Sequence, residues 1–68
     1  EIASGLREVR YFHEGDRPAA EKLAADTTET LAQLGYKMLQ VKVQSLTTWA
    51  GVKPQPGLLE LWLSLPRL

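Results

Sequence analysis

The chain has 68 residues, long enough for one small domain and no more. It has no cysteine, which excludes a disulfide framework and a cysteine–zinc site; it also has no run of about 18 apolar residues to span a membrane. Eight basic side chains balance eight acidic ones, so nucleic acid is not an expected partner, because phosphate binding rests on a basic excess.

Residues 1–5 read as a linker end. The chain opens at Glu1 rather than methionine, so residues 6–68 are expected to be a single domain excised from a longer protein. Residues 6–13 mix aromatic and β-branched residues with charges and predict a strand. One of its faces is Leu6, Glu8, Arg10 and Phe12; the other is Arg7, Val9, Tyr11 and His13. The second face looks more core-like, although Phe12 sits on the first.

At His13, Glu14, Gly15 and Asp16 the pattern changes. Asp16 reads as the N-cap of a helix, with Pro18 tolerated in its first turn, Gly15 making the bend, and His13 and Glu14 solvated. Small or apolar residues then recur at Ala20, Leu23, Ala24, Thr27, Leu31 and Leu34, in helical steps of three or four. Gly35 suits the position after the helix end, where positive φ is needed, so a helix is expected over 17–34. Thr27, Thr28 and Thr30 lower its intrinsic propensity, so packing must hold it.

Residues 37–45 alternate, with Leu39, Val41 and Val43 on one side, and predict a second strand. Gly51, Pro54, Pro56 and Gly57 mark residues 46–57 as a loop. Residues 58–65 alternate again, with Leu59, Leu61, Leu63 and Leu65 on one side, and Pro66 ends the third strand.

The order strand–helix–strand–strand predicts an α+β fold: a three-stranded mixed sheet with one helix on one face. A right-handed crossover makes the first two strands parallel. The third, being the most leucine-rich, is expected between them in a split β-α-β unit, with Leu61 opposite Leu23 and Leu31. The other order considered puts it at an edge beside the second strand.

The opening strand Val9, Arg10, Tyr11 and Phe12, the Gly15 turn, and Ala20, Leu23 and Leu31 leading to Leu34, Gly35 and Tyr36 resemble small β-α-β-β modules of bacterial cell-envelope proteins. The LytR C-terminal domain is the nearer likeness and the SPOR domain the more distant. The chain departs from them in two ways. His13 to Asp16 replaces the asparagine–glycine turn of the first, and the second helix and fourth strand of the SPOR fold are missing. The resemblance implies an extracytoplasmic accessory module, in the periplasm or cell envelope, on a larger bacterial protein.

No catalytic constellation is legible. One histidine cannot supply the three or four protein ligands zinc wants, and Glu14 and Asp16 lack the 12-residue calcium-loop pattern. Gly15 alone is not a phosphate loop, and Ser4, Ser45 and Ser64 lack a nucleophile-elbow context. The expectation is a non-enzyme with no cofactor and no metal. Its contact surface is expected on the sheet face away from the helix, where Arg10, Phe12, Gln40, Lys42, Glu60 and Trp62 gather beside Gln44 and Ser64. Trp49 in the loop is added as an anchor or contact residue. A protein or cell-wall glycan is the expected partner, and homodimerisation by edge-strand pairing at the second strand stays open. The alternative is a purely structural terminal domain packing on its parent chain.

Overall fold

A computed structural model describes residues 6–66, so the expected linker end at 1–5 lies outside the described residues. Strand β1 (Arg7–Tyr11) leads through a 3-10 turn (Glu14–Asp16) into helix α1 (Arg17–Gln33), followed by strands β2 (Lys42–Ser45) and β3 (Leu59–Leu63). This is the expected α+β arrangement, one helix against a three-stranded mixed sheet. β1 runs parallel to β2, with Val9 beside Val43, and antiparallel to β3, with Val9 beside Leu61.

The strand order is β2-β1-β3, which overturns the split unit with the third strand central. Leucine content does not decide the centre; cover on both faces does. β1 has that cover: Val9 and Tyr11 are buried in the core with the helix, and Phe12, just past the strand, is buried on the opposite side. The helix lies across β1 and β2. A helix about 10 Å across covers about two strands spaced some 4.8 Å apart, so a third strand protrudes. β3 is that strand. Leu61 is therefore 44% exposed rather than central to the core.

Val9, Tyr11, Ala20, Ala24, Leu31 and Val41 form the buried cluster, with Leu23, Tyr36, Leu39, Val43 and Leu59 packed around it. Ala20 and Ala24 carry no bulk beyond Cβ and let the helix approach the sheet. The C-terminus of α1 closes as the sequence predicts. Gly35 takes φ 105°. Its amide donates to the Ala32 carbonyl at 3.1 Å, and the Tyr36 amide donates to the Leu31 carbonyl at 2.8 Å. These are the two bonds of a Schellman ending, and Tyr36 adds the accompanying apolar contact. Leu34, expected on the buried stripe, is the residue where the helix stops, and it is exposed.

β2 is shorter than the predicted 37–45. Lys37 and Met38 form a turn, and Met38 is exposed. Leu39 and Val41 nevertheless reach the core, as the alternation requires. The Val41 amide bonds not to β1 but to the Thr28 hydroxyl at 2.9 Å, and that hydroxyl donates to the Ala24 carbonyl at 2.8 Å. Thr28 thus weakens the helix locally while tying it to the entry of β2. β1 and β3 also stop short of the predicted 6–13 and 58–65; their paired ends are Arg7 with Leu63 and Tyr11 with Leu59.

Candidate functional site

Strand alternation and the register place Glu8, Arg10, Lys42, Gln44, Glu60 and Trp62 on the sheet face away from α1. Arg10 is the hub. Its guanidinium pairs with the Glu8 carboxylate and lies 4.3 Å above the Trp62 ring centre. The Trp62 indole Nε1–H donates to Glu60 Oε1 at 3.1 Å. A half-buried ion pair stacked on an indole resists rearrangement better than a solvated pair, because partial desolvation strengthens the cation–π contact.

The 46–57 loop carries the chain from β2 past the end of β1 to β3, and it is pinned along its length. The Leu46 amide donates to the Tyr11 carbonyl at 2.8 Å, and Lys53 Nζ donates to the Thr47 carbonyl at 2.6 Å. His13 Nε2 lies 2.7 Å from the Pro54 carbonyl, which can only accept, so this nitrogen carries the proton. The Gly57 amide donates to Asp16 Oδ2 at 2.8 Å.

The corner differs from the sequence expectation at Asp16 and at His13. Asp16 does not cap the helix with its side chain, and its backbone is already helical at φ −91°. The 3-10 turn moves the switch from extended to helical backbone back to His13, at φ −130° and ψ 136°, which frees the Asp16 carboxylate for the loop. His13 is not solvated but half-buried against Pro54. Glu14 is exposed, as expected, 3.6 Å from Arg17.

Sheet and loop together enclose a groove of about 410 Å³. Of the residues predicted as contacts, Arg10, Phe12, Trp49 and Glu60 line it together, and Trp62 adjoins it through Arg10. Gln40 and Lys42 do not line it; they border a smaller depression of about 160 Å³ with Leu6, Arg7 and Glu8. Leu46, Val52, Lys53 and Pro54 complete the groove and were not legible as contacts. The available signal was their closeness in sequence to Trp49. Trp49 is 52% exposed, and its indole sits so near Gly51 that a Cβ there would fall 2.6 Å from Nε1.

The helix surface has a different character. Lys22 bonds Asp26 at 2.7 Å and Arg17 bonds Glu21 at 3.4 Å, ordinary i,i+4 pairs. These hydrogen bonds to carboxylates hold both cations above their usual pKa. Among the described residues, no three histidine, aspartate or glutamate side chains gather as a metal site. No family model, curated protein or solved structure matches the chain, so the groove is read from its own chemistry.

Proposed function

We propose that the domain is a non-enzymatic binding module that takes a short protein segment in the groove between the open sheet face and the 46–57 loop. The observation that carries this reading is Trp49, half-exposed yet mounted on a loop hydrogen-bonded to β1 and to the strand–helix corner. An aromatic held ready in place loses little freedom on binding, and tryptophan is enriched where binding energy concentrates. Phe12 and Pro54 supply apolar walls for an aliphatic or aromatic anchor. Lys53 spends one donor on Thr47 and keeps others for a carboxylate of the ligand. Glu60 faces the same space and suits a donor. The setting, a module on a larger bacterial envelope protein, rests on the resemblance of the β-α-β-β pattern alone.

The test is selection of peptides from a displayed library on the immobilised domain, followed by affinity measurements on variants. Selected peptides are expected to pair an apolar anchor with an acidic residue. They should bind the wild type at least tenfold more tightly than Trp49→Ala, and Lys22→Ala should be unaffected. Soluble cell-wall muropeptides form the second arm, and Trp49-dependent binding there would assign the groove to a glycan. Peptide binding that survives Trp49→Ala would overturn the proposal.

A further inference from the structure

The free edge of β3 presents a second surface, on the other side of the sheet from the groove. The Ser64 amide donates to the Leu6 carbonyl at 2.8 Å, which sets the phase of the ladder between β1 and β3. In an antiparallel pair, hydrogen-bonded positions alternate. The pairs Glu8–Trp62 and Arg10–Glu60 are therefore bonded to each other, and the backbone groups of Leu59, Leu61 and Leu63 point outward. Among the described residues, β3 pairs only with β1. All three leucines carry their side chains on the helix face; Leu59 packs against the core, while Leu61 and Leu63 stay 44% and 37% exposed.

We infer that this edge receives a second copy of the chain, antiparallel and centred on Leu61. The stretch from Leu59 to Leu63 is self-complementary about that point. A two-fold axis through Leu61 sets Leu59 opposite Leu63 and Glu60 opposite Trp62. No like charges sit directly opposite each other, because each Glu60 lies across from a Trp62 whose indole N–H is already bonded within its own chain. The outward amides and carbonyls of all three leucines find partners, and the leucines of both copies form one ladder between the two helices. The edge also lacks the usual guards: it has no lysine, no proline and no bulge in its register. The opposite edge, β2, is four residues long and carries exposed Lys42. Pairing at β3 is isologous, so it uses up both β3 edges and stops at two copies. This moves the expected edge-pairing site from the second strand to the third.

The test is sedimentation equilibrium of the 68-residue chain from micromolar to millimolar concentration, with amide exchange measured alongside. The expected mass rises from one chain to two. Exchange at Leu61 and Leu63 should slow at least tenfold as the dimer forms, while Glu60 and Trp62 change little. Leu61→Lys should restore one chain per particle with an unchanged circular dichroism spectrum. If Leu61→Lys does not fold, a synthetic chain N-methylated at Leu61 removes an outward donor without touching a bond to β1, and it too should be monomeric. A monomer at millimolar concentration, open-ended polymers, or a dimer indifferent to the folded Leu61 variant would overturn the inference.

Discussion

Replacing Thr28 with valine keeps the side-chain shape and nearly the same helix propensity, so it isolates the hydroxyl. That hydroxyl is the acceptor for the Val41 amide, on a residue only 8% exposed, and a donor to the Ala24 carbonyl. In Thr28→Val the Ala24 carbonyl loses only a second partner. The Val41 amide is left with none, and stranding a buried donor costs about 1–3 kcal/mol. The added methyl offsets part of this, so a net loss of about 1–2 kcal/mol is expected. A chain this small is stabilised by only about 3–10 kcal/mol in total, and each kcal/mol shifts the melting temperature by about 4–8 °C. Urea denaturation should show a lower midpoint at unchanged slope. Amide exchange should speed up at Val41 more than at Gln44, whose amide the ladder phase turns toward β1. Thr28→Ser keeps both bonds and should lie much nearer the wild type. A Thr28→Val protein as stable as the wild type, with Val41 still protected, would refute the bridge.

Asp16→Ala should speed exchange at Gly57 and leave Ala19, whose amide an N-cap carboxylate would hold, unchanged; the opposite pattern would restore Asp16 as an N-cap. Val9→Ala removes two buried methyl groups from the central strand and should cost about 2–3 kcal/mol in a denaturation curve. Leu61→Ala, measured at micromolar concentration, should cost about 1 kcal/mol or less, because that side chain is already half in water; a larger loss at Leu61 than at Val9 would contradict the strand order. Gly51→Ala should displace the Trp49 indole, seen as a shift in tryptophan emission, with little change in the denaturation midpoint; unaltered emission would place the indole elsewhere.

Local periodicity carried most of the fold. The spacing from Ala20 to Leu31 located the helix, Gly35 its end, and the alternation of Leu39, Val41 and Val43 the buried side of the second strand. Strand order was not legible, because it depends on how many strands one helix covers and on the path of the 46–57 loop. Both are tertiary quantities, whereas the leucines at 59, 61 and 63 read the same at a centre or an edge. The open face was legible by parity alone, which brought Arg10, Glu60 and Trp62 together correctly. Parity says nothing of what a loop lays over a sheet, so Lys53 and Pro54 were missed. Parity set Gln40 beside Lys42, where the structure has it, but it does not tell which part of the sheet face the loop turns into a groove, so both fall with Glu8 outside it. The corner misled for a related reason. Aspartate before a helix reads as a cap, but the 3-10 turn shifted the helix start and released Asp16 to hold Gly57.

The central claim is that the groove beside Trp49 is the contact surface. The most direct measurement is a ¹⁵N correlation titration with a library-selected peptide, following the two tryptophan indole N–H signals. The Trp49 indole should move together with the backbone amides of Phe12 and Lys53, while Lys22 and Glu29 on the helix stay fixed. Shifts at the helix surface with the Trp49 indole unmoved would contradict it.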